Sequence, residues 1–255
     1  GRAPAPLCPN LIVHRSNTRV PDDLAAVLRH KVEMVITSVG SPEPVLKPLK
    51  DSGCLVLADV ASVGHAEKAL AAGVDGLVVL TAGAGGQSGW VIPFAFVPAV
   101  RKFWDGIIVM GGGMADGQAI AAAETLGCDL AYMGTKFIAT RESLAKDAYK
   151  EMLVKSRLDD VLLTRAFTGL ETNMLRPSIA AAGLDPDNLP VRGSIDVAKD
   201  INASERDRPD AKRWKDIWSA GHSVSGVADV PSVAELVART AAEYETARRP
   251  SVQCV

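Results

Sequence analysis

The chain has 255 residues, 47% hydrophobic and 23% charged, with Lys+Arg 28 against Asp+Glu 30 and a formal charge of −2. That length suits one large domain or two small ones, and the apolar fraction excludes a disordered protein. The balanced charge gives no electrostatic footprint for nucleic acid or an acidic membrane surface, and no apolar run approaches the roughly 18 residues of a membrane span.

Gly1 to Asn10 are Pro-rich, lack a signal-peptide apolar core and begin without Met, so a truncated or processed chain is expected. The four cysteines, at 8, 54, 128 and 254, have no CxxC spacing, and the histidines are only 14, 30, 65 and 222. A zinc site is not expected. Cys54 and Cys128 each follow a Gly at the start of an apolar run and read as buried free thiols, which suits a reducing cytoplasm.

Apolar runs suited to buried parallel strands lie at Leu11–His14, Glu33–Thr37, Cys54–Ala58, Asp75–Leu80, Ile107–Met110 and Asp129–Met133. Their spacing leaves room for a three-turn helix and two short loops in each interval. Asp22, Ser41, Ser62 and Asp116 are candidate helix N-caps, and Gly53, Gly73 and Gly127 candidate C-terminal glycines. The phrases Ser52-Gly53-Cys54, Ala72-Gly73-Val74-Asp75 and Leu126-Gly127-Cys128-Asp129 thus read as one recurring loop from helix to strand. Beyond Thr140 the rhythm changes. Helices are expected at Arg141–Lys155, Asp210–Trp218 and Ser232–Arg248, with an irregular stretch over Leu158–Asp210. Residues 1–140 and 227–255 read as the βα body, and 141–226 as a helical and irregular lid inserted after the last strand. Six βα units fit either an open doubly wound sheet or a (β/α)₈ barrel.

In both architectures functional loops follow the strands' carboxyl ends. Three such loops stand out. Gly111-Gly112-Gly113-Met114-Ala115-Asp116-Gly117 offers backbone N–H groups to an anion, with Asp116 capping the next helix. Met133-Gly134-Thr135 adds further N–H donors and a hydroxyl. Together they occupy the usual phosphate position of barrels. Thr81 to Trp90 carries four glycines, suggesting a backbone laid against a flat ligand, with Gln87 and Ser88 its polar side chains beside Thr81. No G-x-G-x-x-G follows a strand and there is no Walker lysine, so dinucleotide and ATP readings gain no support.

Gly83-Ala84-Gly85-Gly86-Gln87-Ser88-Gly89, Gly112-Gly113-Met114-Ala115-Asp116-Gly117 and Tyr132-Met133-Gly134-Thr135-Lys136-Phe137-Ile138-Ala139-Thr140 resemble the nitronate monooxygenase family, FMN-dependent (β/α)₈ barrels that include flavin enoyl reductases. The resemblance runs from Pro9-Asn10-Leu11 to the Trp214–Val233 segment. It implies that Gly112, Gly113, Gly134 and Thr135 hold the FMN phosphate, with Met133 also among the cofactor-binding residues, that Gly85 and Gly86 lie against the isoalloxazine, and that Asn10 hydrogen-bonds the ring. The Asn-Leu strand is the family's third, so the first two βα units are expected to be absent from this sequence.

The family usually has His after its Gly-Gly pair, as the base that removes the proton α to a nitro group. Here that residue is Gln87, and a neutral amide is no base near neutral pH. Relatives commonly carry Gln in the place of His222. The candidate catalytic residues are therefore Gln87, Ser88 and His222, with the lid's His222 supplying the imidazole; a solvated loop histidine is the alternative. His14, Ser38 and Asp59 also end strands on that face, and His65 is expected on the surface.

The resemblance implies oxidation of alkyl nitronates or related carbanions with O2. Alternatives are an NAD(P)H-fed flavin reductase of an enoyl or enone substrate and a phosphate-ligand-binding barrel without redox chemistry. A cytoplasmic protein acting on a small molecule is expected, with a homodimer as one assembly.

Overall fold

The computed structural model describes residues 5–190, 192, 195 and 217–248. All six expected strands are present as β1 (Asn10–Ile12), β2 (Met34–Ser38), β3 (Leu55–Val60), β4 (Gly76–Leu80), β6 (Ile107–Gly111) and β7 (Leu130–Tyr132), with the two-residue β5 (Gly86–Gln87) between β4 and β6. The six form one parallel sheet in the order β1-β2-β3-β4-β6-β7. The order follows the sequence without reversal, so the sheet lacks the switch point of a doubly wound fold.

Alternation along the strands explains why they read as unbroken apolar runs. Val35, Val56, Leu77, Val79 and Ile108 point into the main core, where Leu49 and Phe96 of the helices meet them. Their neighbours Ile36, Leu57, Val78, Leu80 and Val109 form a second cluster. Side chains of period two thus bury both faces of the sheet.

Between the strands run α1 (Val20–Arg29), α2 (Glu43–Asp51), α3 (Val63–Ala72), α4 (Pro93–Arg101) and α5 (Gly117–Leu126). Ser62 and Asp116 cap α3 and α5 through side-chain hydrogen bonds to His65 N and Ala119 N. Asp22 and Ser41 are not caps: Arg19 and Pro42 occupy those positions. Pro21 and Pro44 are accommodated in the first turns, where a missing N–H costs nothing. The recurring loop has a clear purpose. Gly73 and Gly127 end α3 and α5 at φ +99° and +105°. The Asp two residues later then accepts a hydrogen bond from the neighbouring strand: Asp75 from Val56 N (2.9 Å) and Asp129 from Ile108 N (2.8 Å).

After β7 come α6 (Thr135–Ile138), α7 (Asp147–Lys155), β8 (Val161–Thr164), β9 (Thr172–Leu175), α8 (Arg176–Ala181) and α9 (Val233–Ala247). The helix expected from Arg141 starts only at Asp147; before it Arg141 N donates to Pro231 O and Ser143 N turns back to Thr140 O. The stretch expected to be irregular contains an antiparallel hairpin, β8 with β9, to which β5 adds as a third strand. The expected Asp210–Trp218 helix lies outside the described residues except Ile217 and Trp218, which are not helical. Helix α9 begins with a Ser232–Glu235 capping box and returns to α5, where Glu243 accepts from Gly117 N and Tyr244 donates to Glu124. Among the described residues no helix is long and apolar enough to cross a membrane.

Candidate active site

The strands' carboxyl ends open onto three adjoining cavities. The first, about 160 Å³, lies between the Gly111–Met114 and Gly134–Thr135 loops and is closed by Ser219, Ala220 and Ser223. None of its lining residues carries a charge. Gly112 has φ +122°, and a Cβ there would stand 2.4 Å from Thr81 Oγ1, so only glycine lets the two loops approach this closely. A Cβ on Gly113 or Gly134 would meet nothing within 4 Å, which leaves their backbone accessible to a ligand. Thr135 Oγ1 accepts from Gly221 N (3.0 Å), and His222 N donates to Gly83 O (2.8 Å). Tyr149 stacks on Trp218 at 4.9 Å, holding the 218–226 segment over this cavity.

The second cavity, about 270 Å³, shares Leu80, Gly85 and Tyr132 with the first, so the two are ends of one trough. Asn10, Ser38, Asp59, Gln87 and Thr172 line it. Ser38 Oγ lies 2.7 Å from Asn10 Oδ1 and donates to it, which fixes the amide's orientation. The glycine loop is held by the hairpin: Gly86 and Gln87 pair with Asn173 and Thr172, and Asn173 Nδ2 donates to Ala84 O (2.8 Å). It is thus a strand edge, not a free turn. A third cavity, about 650 Å³, adjoins the second through Val39, Asp59, Gln87 and Leu170 and opens past Glu43, His65 and Lys68. Val39 holds φ +58°, a strained value for a β-branched residue, at the junction.

The structure brings Asn10, Gly85, Gly86, Gln87, Gly112, Gly113, Gly134 and Thr135 to this trough or its rim. It does not bring three others there. Met133 packs on the main core behind the sheet. Ser88 is buried, its hydroxyl against Gly89 O (3.0 Å) and Thr81 O (3.3 Å). His222 is exposed, its ring resting on Gly83, and lines none of the three cavities. His14 is tied to Ser16 (2.7 Å) rather than facing the trough.

Two residues that the sequence leaves in the background stand at the centre. Tyr132, at the end of β7, lines both trough cavities; burial raises its pKa, and the Asp59 and Cys8 charges add to this. Asp59, near the end of β3, has its Oδ1 shut from solvent without a hydrogen-bond partner, and burial pushes its carboxyl up to about 7. A polar residue ending an otherwise apolar strand at the catalytic face was the only sequence signal for it.

The scaffold is a parallel α/β sheet with an uncharged pair of glycine loops at its strands' carboxyl ends, the end where such folds carry their functional loops. The chain belongs to the nitronate monooxygenase family, whose model matches residues 10–243, and so to a family of oxidoreductases. It is 29% identical over 243 residues to a nitronate monooxygenase of Paraburkholderia phytofirmans, covering 88% of this chain and 64% of that protein. It is 25% identical over 209 residues to a (3aS,4S,5R,7aS)-5-hydroxy-7a-methyl-1-oxo-octahydro-1H-indene-4-carboxyl-CoA dehydrogenase of Rhodococcus jostii, covering 82% of this chain and 58% of that one. Among solved structures, nitroalkane oxidase from Streptomyces ansochromogenes matches with a TM-score of 0.72 and 27% identity, over 90% of this chain and 69% of that chain. The chain therefore spans about half to two-thirds of the length of the curated relatives it matches.

Proposed function

We propose that the chain is an FMN-dependent oxidoreductase that oxidises alkyl nitronates or related carbanions with O2. The observation that carries this reading is the trough: an uncharged glycine cradle continuous with a wider cavity lined by Asn10, Gln87 and Tyr132. The residues present fit the cofactor. The cradle has no carboxylate to repel a phosphate, and open space faces Gly113 and Gly134. Bound there, FMN would accept an electron pair from a carbanionic carbon and pass it to oxygen.

In this reading Gly112, Gly113, Gly134 and Thr135 hold the phosphate through backbone N–H groups and one hydroxyl. Gly85 and Gly86 bring backbone against the ring, and Asn10, oriented by Ser38, hydrogen-bonds its edge. Gln87, which lines both the trough and the outer cavity, orients substrate through its amide. Met133 and Ser88 support these loops from behind. The His222 backbone N–H ties the 218–226 segment to Gly83. The unreversed strand order and the likeness to the Streptomyces structure support placing the sheet as an arc of a (β/α)₈ barrel. The β8–β9 hairpin on β5 and the packing of α9 against α5 support a body of 1–140 and 227–255 with 141–226 as its cover.

The test is an anaerobic titration of the FMN-loaded protein. Bleaching of the flavin by an alkyl nitronate, followed by recovery on admitting air, is expected. Bleaching by NAD(P)H alone would replace this reading with an enoyl or enone reductase. Failure to bind FMN would leave a phosphate-ligand-binding protein without redox chemistry.

A further inference from the structure

We infer that Asp59 is the proton acceptor of this site, and that it extends the substrate range from preformed nitronates to neutral nitroalkanes and similar carbon acids. The inference rests on the proposed nitronate chemistry and deepens it. Four observations carry it. Gln87 occupies the position where a base is expected, and an amide cannot take up a proton near neutral pH. His222 lines none of these three cavities, its exposed ring resting on Gly83. Asp59 lines both the trough and the outer cavity, as Gln87 does, so carboxyl and amide bound the same junction. Asp59 Oδ1 is one of only two buried side-chain polar atoms without a hydrogen-bond partner among the described residues; the other, Thr240 Oγ1, belongs to α9.

A buried carboxylate oxygen without a donor costs stability, and a role in proton transfer accounts for that cost. Its surroundings suit a base. The titratable groups whose pKa its charge raises are Cys8 and Tyr132, and the outer cavity contributes Glu43, His65 and Lys68. No Arg or Lys pairs with Asp59 among the described residues, so nothing holds it permanently ionised. Burial keeps its carboxyl at about 7, close to the working pH at which a general base is most effective.

The step balances within the site. The C–H bond α to the nitro group breaks, its electron pair remains on the substrate as the nitronate, and the proton passes to the Asp59 carboxylate. The negative charge moves from the carboxylate to the nitro oxygens, so the cavity never holds two anions. Gln87 donates its amide N–H groups to those oxygens, and His65 and Lys68 stand on the approach.

The test is exchange of nitroethane α-protons for deuterium in D2O, followed by proton NMR under anaerobic conditions, with wild type, Asp59→Asn and Asp59→Glu compared at equal FMN occupancy. Wild type should exchange above the buffer rate, rising with pH through about 7. Asp59→Asn should lose on the order of 100-fold or more of that excess, and Asp59→Glu should recover part of it with a displaced pH profile. A second readout needs no cofactor: the infrared band of a protonated carboxyl should titrate near neutral pH in wild type and be missing in Asp59→Asn. Equal exchange in Asp59→Asn and wild type overturns the inference. Wild type that oxidises preformed nitronate without exchanging nitroethane also overturns it and leaves the nitronate reading standing. Asp59-dependent exchange without nitronate oxidation supports the base and removes the oxidase reading.

Discussion

The burial of Asp59 should be visible in the stability of the protein as a function of pH. Its carboxyl titrates at about 7 in the folded chain against an ordinary 3.8. At 1.36 kcal/mol per pKa unit, the full shift corresponds to at most about 4 kcal/mol. Oδ1 is shut from solvent but the residue as a whole is of intermediate exposure, so solvent screening brings a working figure of about 2 kcal/mol. Burial favours the protonated form, so the folded chain binds this proton more tightly than the unfolded chain. The contribution is fully present below pH 3.8, is lost as pH rises through about 7, and is gone above it. Asp59→Asn has no proton to lose. Urea midpoints measured for both proteins should therefore diverge, wild type losing about 2 kcal/mol relative to the variant between roughly pH 4 and pH 8. Asp129, Asp229 and Glu235, all held below their ordinary values, act in the opposite direction but are common to both proteins and cancel. Parallel curves would refute the claim that Asp59 is buried without a partner.

Three further substitutions test the scaffold. Gly112→Ala forces a Cβ to 2.4 Å from Thr81 Oγ1 at φ +122° and should lower stability by about 2–3 kcal/mol in thermal melts; a neutral result would show that the two loops are not locked together. Val39→Asn places a residue that tolerates left-handed backbone where valine holds φ +58°, and should raise the urea midpoint by the equivalent of about 1 kcal/mol. Asp129→Ala removes an acceptor used by Ile108 N and by Arg101, at 2.8 and 2.7 Å, and should cost about 1–2 kcal/mol at neutral pH. Burial alone would raise the Asp129 carboxyl, but those two donors hold it low. The cost should therefore shrink as the pH falls below about 4.

The body of the fold was legible because a buried parallel strand is apolar on both faces, so each βα unit leaves a compact run between a glycine and a loop. The caps at Ser62 and Asp116 and the glycine stops at 73 and 127 were legible for the same local reason. What escaped was specified by distant partners. β5 is two residues, Gly86 and Gln87, and becomes a strand only because Thr172 and Asn173 pair with it. β9, with Thr172 and Asn173 buried among polar partners, carries no apolar alternation. At the site, the glycine loops were readable as an anion cradle, since their composition is their function. The exchange of Gln and His suggested that His222 should face Gln87. The geometry instead rests that ring on Gly83 and leaves Asp59, a single polar letter at a strand's end, lining the same two cavities as Gln87.

The most direct test of the central claim is the affinity for FMN against that for riboflavin, measured by flavin fluorescence over a range of salt concentrations. A cradle of backbone donors without a basic side chain should bind FMN at least about 100-fold more tightly than riboflavin, because each charge-assisted N–H contact contributes about 1.5–3 kcal/mol. The preference should weaken only slightly with salt, since no exposed lysine or arginine lines the cavity. Equal affinity for the two flavins would contradict the account, because the Gly112–Gly113 and Gly134–Thr135 loops would then hold no phosphate.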